Sequence, residues 1–352
     1  MRETFLHSYG LLLSATLAGA WRHAPPPVEL SEKELTTVAP LLTGSGAAAL
    51  GWWKLRRTDR RASPSARQLQ HAYRFNTLQA ALREREIERV FALLSDARID
   101  AVLVKGWAAA RLYPEQGLRP FGDMDVCVRP AQFASASRLV GAERRVDLHA
   151  GFEKSDERGF DETFERTETV EIGASRVRVL CAEDHLRLLS LHLLRHGAWR
   201  PLWLCDVAAA FENRARNFDW TRLLAGDRRR ASWVVCALGL AHALVGMRVE
   251  DTPVAHEALR LPRWLVPEVL KQWQTPFPAR QAPMRHRAPM RKYLRHPSGV
   301  FKDLRNRWPN PIEATVLMNA SFNELPRLPF QLANCFARTA RFISAAGAQT
   351  KL

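Results

Sequence analysis

The sequence predicts an α+β protein: a small sheet with flanking helices, preceded by N-terminal helices and followed by a helical C-terminal domain. Three observations carry this. Residues 101–129, AVLVKGWAAARLYPEQGLRPFGDMDVCVR, read as strand, tight glycine turn, short helix, loop and second strand. Residues 167–172 and 176–180 alternate apolar and polar side chains around Gly173-Ala174-Ser175, a hairpin signal. On either side of this stretch helical periodicity dominates.

In chain order, residues 11–20 (LLLSATLAGA) are apolar and end in small residues, as a signal peptide would. Glu3 and His7 stand where a basic region belongs, and the run is too short to span a bilayer, so a packed helix is expected instead. Pro25-Pro26-Pro27 is a break, Ser31-Glu32-Lys33-Glu34 a helix start, and Ser45-Gly46 a second break. Ser63-Pro64 opens a long helical pattern to about Ala97, with apolar positions at Leu69, Tyr73, Leu78, Leu82, Ile87, Val90, Phe91 and Leu94. After the second strand, Pro130 suits the first turn of a helix over PAQFASASRLV, and a strand at VDLH follows. Helical patterns then cover 182–197, 203–214 and 227–247, with an amphipathic tail at 328–343. The expected division is an N-terminal helical segment at 1–63, a core at 64–180, and a helical C-terminal domain at 181–352. That last part contains a basic, Pro-containing stretch at 276–308.

Composition narrows the classes. A chain of 352 residues with 47% hydrophobic and 25% charged residues can bury a sizeable core. The net charge of +16 implies attraction to anions: nucleotides, nucleic acid, acidic lipid or an acidic protein. Five scattered cysteines without a CxxC pair argue for reduced thiols in a cytoplasmic protein rather than a disulfide framework or zinc ribbon.

The chemistry concentrates between Lys105 and Asp125. Aspartates at positions 123 and 125 of a strand point to one face, leaving Met124, Val126 and Val128 to be buried on the other. Adjacent carboxylates repel unless a cation sits between them, and an all-oxygen set suits Mg²⁺. Gly106 lets a ligand approach the backbone just before a helix N-terminus, where phosphate oxygens are favoured. Lys105, in the turn, and Arg119, in the loop ahead of the aspartates, are candidates to neutralise phosphates. Metal and phosphate together point to chemistry on a nucleoside triphosphate. His185, His192 and His196 share one helix face, but the Glu of HExxH is missing and the zinc-protease reading fails. These histidines, and Asp206, are expected to pack against the core or line the cleft. Trp52, Trp53, Trp199, Trp203 and Trp220 are expected in the core or at domain contacts. The basic stretch lacks the aromatic interleaving of a single-strand binder.

A glycine turn after a strand, an Asp-x-Asp strand, and a later strand with one more carboxylate resembles the polymerase-β-like nucleotidyltransferases. The later acid is Asp147, in Arg145-Val146-Asp147-Leu148-His149. More narrowly, KGWAAARLYPEQGLRPFGDMDV followed by VDLH resembles a family of uncharacterised bacterial nucleotidyltransferases, from the helix near Leu69 to the end of the chain. The KGWA turn is also similar to that of aminoglycoside adenylyltransferases. The connection at 130–144 is shorter than the family pattern.

The resemblance implies a small mixed sheet and a mostly helical C-terminal part. It implies two Mg²⁺ ions held by Asp123, Asp125 and Asp147. Asp147 would also help remove the acceptor's proton. Lys105, Gly106, Trp107 and Arg119 would bind nucleotide, and His149, His192, His196 and Asp206 would stand in the cleft. The expected reaction moves a nucleoside monophosphate from an NTP, ATP by default, to a hydroxyl on a small molecule or protein. Two rivals stand beside it: a non-catalytic nucleotide-binding or regulatory module of the same fold, and nucleotide addition to RNA, motivated by the net charge. Nucleic acid is the less favoured partner.

Overall fold

A computed structural model describes residues 8–141, 143, 145–152, 156–274 and 308–349. Nearly all of the basic stretch expected at 276–308 lies outside these residues.

The chain begins with helices α1 (Ser8–Leu17), α2 (Glu32–Ser45) and α3 (Ala48–Leu55). α1 is the packed helix expected near the start, with Leu13 and Leu17 fully buried. The start of α2 is a capping box: the Ser31 hydroxyl accepts from the Glu34 amide, and the Glu34 carboxylate accepts from the Ser31 amide. Gly46, in the left-handed region at φ 78°, ends the helix.

Helix α4 (Pro64–Asp96) follows, capped by Ser63 with Pro64 in its first turn. Its 33 residues span about 50 Å at 1.5 Å per residue. That length lets one helix join two cores. Ala66 and Leu69 pack with the N-terminal helices, whereas Ile87, Val90, Phe91 and Leu94 lie on the sheet. Between them the periodicity misleads. Leu78 and Leu82 are 61% and 45% exposed, and Phe75 is 62% exposed, whereas Ala80 and Arg83 in the same stretch are buried and Thr77 meets the 116–117 turn, so these three side chains lie on the uncovered face of the helix.

The sheet contains β1 (Ala101–Leu103), β2 (Met124–Val128), β3 (Val146–Ala150), β4 (Glu168–Ile172) and β5 (Ser175–Val179), in the order β3-β2-β1-β5-β4. It is mixed: β1 runs antiparallel to β2 and parallel to β5, β2 runs parallel to β3, and β4–β5 is the expected hairpin. Short helix α5 (Trp107–Ala110) follows β1. A 3₁₀ turn at Pro130–Gln132 and α6 (Phe133–Val140) carry the chain from β2 to β3, the crossover that a parallel pair needs. One sheet face, with Leu103, Met124, Val126 and Val128, packs on α4. The other, with Val102, Val104 and Cys127, packs on Phe160 of α7 (Phe160–Glu165) and on Leu188 of the next helix.

Helices α8 (Ala182–Arg195), α9 (Pro201–Glu212), α10 (Trp220–Leu224) and α11 (Arg228–Val245) come next, then α12 (Ala255–Ala258) and α13 (Leu265–Trp273). α14 (Pro311–Leu317) and α15 (Leu328–Gln349) complete the described chain. α8, α9, α11 and α13 share one hydrophobic core with α1, α2 and α3, far away in sequence. Ion pairs tie these helices to the loop after β3. Fully buried Arg187 holds Asp156 and Glu157, each at 2.7 Å, and Asp184 pairs with Arg158 at 2.5 Å and Arg222 at 2.9 Å. No helix among the described residues is long and apolar enough to cross a membrane.

The two settings along α4 separate in a simple comparison. Leu69→Ala, which opens a cavity in the shared core, should cost about 2–5 kcal/mol in denaturant unfolding. Leu78→Ala should stay within about 0.5 kcal/mol. Equal losses would contradict the orientation of α4.

Candidate active site

The site grows from the edge of β1. The Val104 amide donates to the Asp125 carbonyl at 3.1 Å, which carries the sheet one residue past the strand. Lys105 and Gly106 then turn the chain into α5. Gly106 has φ 60°, and a Cβ there would lie 3.2 Å from the Asp123 carbonyl oxygen, so the turn sits directly on the start of β2.

Asp123 precedes β2 and is exposed at the mouth of a cavity; Asp125, two residues on, is partly buried within the strand. The Lys105 ammonium meets Asp125 Oδ1 at 2.6 Å. Burial alone would raise the Asp125 carboxyl. The bond to His149 and the charge on Lys105 outweigh it and bring the pKa down to about 2.

The parallel register of β2 and β3 sets Asp147 directly beside Asp125 and His149 beside Cys127. Alternation along β3 keeps Asp147 and His149 on one face. His149 Nε2 lies 3.4 Å from both Asp125 Oδ1 and Asp147 Oδ2. Asp125, Asp147 and His149 each offer a ligand atom, all within 4.8 Å of one another. Two carboxylates and an imidazole fit a divalent cation, and the Lys105 ammonium shows that a positive charge is already accommodated on Asp125.

The cavity, about 550 Å³, separates these groups from the helical part. Lys105, Gly106, Asp123 and Asp125 form the sheet side, and residues 119–122 form one wall. Leu189 and His192 of α8, with Arg200, Trp203 and Asp206 at and within α9, form the opposite side. A buried ion pair closes the bottom: Arg119 Nη2 to Asp206 Oδ2 at 2.7 Å, with Nε 3.1 Å from Oδ1. The Tyr113 hydroxyl donates to the same Oδ1 at 2.8 Å. Burial lowers the Arg119 pKa, but Asp206 more than compensates and the net shift is upward. Tyr113 is held well above its ordinary value, first by burial and then by the Asp206 charge.

The residues singled out from the sequence therefore divide. Lys105, Gly106, Asp123 and Asp125 converge on the cavity, with Asp147 and His149 at the adjoining sheet edge. Arg119 and Asp206 line it while bonded to each other. His192 also lines it, its ring 4.7 Å from the Trp203 ring and 4.5 Å from that of His196. Burial, and then Lys105, keep the His192 imidazole well below its ordinary pKa and hence neutral. Trp107 points elsewhere: its indole donates to Glu84 of α4 at 2.7 Å and packs on the sheet core. His185 is buried behind the cavity, its Nε2 without a partner among the described residues, and burial followed by Arg111 pushes it down to about 4.

Two residues of the site escaped the sequence reading. Arg200 is one of 52 basic residues and carries no local motif, and Tyr113 looks like an ordinary core aromatic. Only the fold brings Arg200 to the cavity and Tyr113 to the Asp206 carboxylate.

A small mixed sheet with carboxylates on two adjacent strands, beside a glycine turn that opens a helix, defines a polymerase-β-like nucleotidyltransferase fold. The chain belongs to a family described as "Uncharacterised nucleotidyltransferase", whose sequence model matches residues 32–143 and 141–246, more than half of the chain. A search of curated proteins found no match.

Two outcomes follow for stability. Asp206→Ala would strand the Arg119 charge in the interior and should cost about 3–5 kcal/mol, whereas Arg119→Met/Asp206→Leu should recover most of it. If the double variant is no more stable than the single one, the pair is not the source of the loss. His185 gives a pH dependence. Its folded pKa of about 4 lies below the ordinary 6.5, so the unfolded chain binds the extra proton and stability falls as pH drops from 6.5 towards 4. His185→Gln should remove about 3 kcal/mol of that acid sensitivity. Parallel wild-type and variant curves of unfolding free energy against pH would refute it.

Proposed function

We propose that this protein catalyses Mg²⁺-dependent transfer of a nucleoside monophosphate from a nucleoside triphosphate to a hydroxyl group of an acceptor. ATP is the default donor, and the acceptor is a small molecule or a protein side chain. One observation carries the reading: in a chain of a nucleotidyltransferase family, Asp125 and Asp147 stand side by side across β2 and β3 next to the Lys105–Gly106 turn.

Asp125 and Asp147, with His149 beside them and Asp123 at the rim, are the residues that would hold the metal. Bound Mg²⁺ would neutralise charge on the triphosphate and make the acceptor hydroxyl more acidic. The chain's own groups do the rest. Gly106 leaves room for phosphate oxygens at the backbone of the turn. Lys105, bonded to Asp125 in the free site, would bond a phosphate oxygen if a cation took its place at that carboxylate. Asp147, exposed at the sheet edge, accepts the hydroxyl proton. The acceptor oxygen then forms its bond to the α-phosphorus, the bond from that phosphorus to the bridging oxygen breaks, and pyrophosphate leaves. The Arg119–Asp206 pair holds the opposite wall at a fixed distance while this occurs. Five thiols, all free, suit a reducing compartment.

The deciding measurement compares α-labelled and γ-labelled ATP with cell extract as acceptor source. Mg²⁺-dependent α-label on an acceptor is the expected result. Asp125→Asn and Asp147→Asn should each lower it at least about 10²-fold, the scale for losing one preorganised electrostatic group. Label transferred only from the γ position would mean phosphoryl transfer and overturn the reaction class.

A further inference from the structure

The charges around the cavity cancel in pairs, with two exceptions. Lys105 is paired with Asp125, and Arg119 with Asp206. Among the described residues, neither Asp123 nor Arg200 has an opposite charge within ion-pair distance. One unpaired carboxylate stands on the sheet side and one unpaired guanidinium on the helical side of the same space.

Arg200 is not a loose surface arginine. It precedes Pro201, which confines it to extended backbone, observed at φ −101° and ψ 109°. Its Nε donates to the Ser45 carbonyl at 2.8 Å, at the end of α2. Its Nη2 lies where a side chain at position 46 would begin: a Cβ on Gly46 would come within 2.4 Å of it. Trp203 supports it from another side, with the guanidinium carbon 5.6 Å from the ring centroid. Burial lowers its pKa to about 10, which still leaves it charged at neutral pH. Of its five N–H donors, the described residues use one; the guanidinium borders the cavity, and its Nη1 and Nη2 groups have no hydrogen-bond acceptor among the described residues. A partly desolvated charge without a partner is costly, and a ligand oxyanion removes that cost.

We propose that Arg200 binds the β- and γ-phosphate end of the nucleoside triphosphate, and that the Ser45–Gly46 end of α2 positions it there. This rests on the nucleotidyl-transfer reading and adds a residue and a structural segment to it. The charge pattern selects the ligand class. The cavity asks for one cation at the carboxylates and one anion at Arg200, and a metal-bound triphosphate brings both. A neutral acceptor brings neither. The N-terminal helices then have a task at the site, because they hold the guanidinium without touching substrate.

The test is calorimetric binding of ATP, AMP and inorganic tripolyphosphate to the full chain with Mg²⁺. Wild type is compared with Arg200→Gln, Arg200→Lys and Gly46→Ala. Arg200→Gln should weaken ATP and tripolyphosphate about 10- to 100-fold, the worth of hydrogen bonds to a charged group, and leave AMP unchanged. Arg200→Lys should fall between, since an ammonium keeps the charge but not the fork. Gly46→Ala should show the same ATP-selective pattern, and with Arg200→Lys it carries the test if Arg200→Gln fails to fold by circular dichroism. Wild type binding neither ATP nor tripolyphosphate would defeat the proposed function itself. ATP binding that is intact in wild type and in all folded variants would defeat only the role of Arg200. Equal weakening of ATP and AMP would move Arg200 to the nucleoside or α-phosphate and overturn the assignment.

Discussion

The ion pair between Arg119 and Asp206 is the constraint on which the site depends. Arg119 belongs to the loop leading into β2, and Asp206 to helix α9 of the helical part. Both are buried, and Tyr113 supplies a third polar group to the same carboxylate. A charge pair withdrawn from water gains little net stability over apolar packing, but breaking it is expensive. Its effect is therefore geometric. It locks the aspartate-bearing loop to α9 at one separation, and the cavity is the space left above the lock.

Within that frame, the sheet register decides the chemistry. β2 and β3 are parallel and paired so that Asp125 faces Asp147, which brings two carboxylates and His149 together at a sheet edge. The repulsion between them is relieved on one side by Lys105, whose ammonium lies against Asp125. The same lysine helps keep the neighbouring His192 neutral. The site is thus built around one positive charge, the Lys105 ammonium.

Much of this was legible in the chain, because it depends on near neighbours. The capping box at Ser31, the Ser63-Pro64 start of α4, the turn at Gly173 and the Lys105-Gly106 bend are set by backbone dihedrals and local hydrogen bonds within a few residues. The alternation at Asp123 and Asp125 follows from strand geometry in the same way. Periodicity failed where burial depends on what lies opposite. Leu78 and Leu82 fit the apolar stripe of α4 as well as Leu69 does, yet among the described residues no partner element covers them. Trp107 stands beside the glycine turn in sequence, but its indole is drawn to Glu84 on the far side of the sheet.

The sequence by itself determined the class of fold, the family, and the cluster of Lys105, Gly106, Asp123 and Asp125, since these lie within one short stretch whose strand and turn geometry is local. Only the tertiary structure decided the other wall of the cavity. Arg119 finds Asp206 87 positions away, and Arg200 is held by Ser45, 155 positions away. No pattern along a chain encodes such pairings. They arise because the N-terminal and C-terminal helices must bury their apolar faces in one shared core, and in doing so they carry polar groups from distant segments to the same cleft.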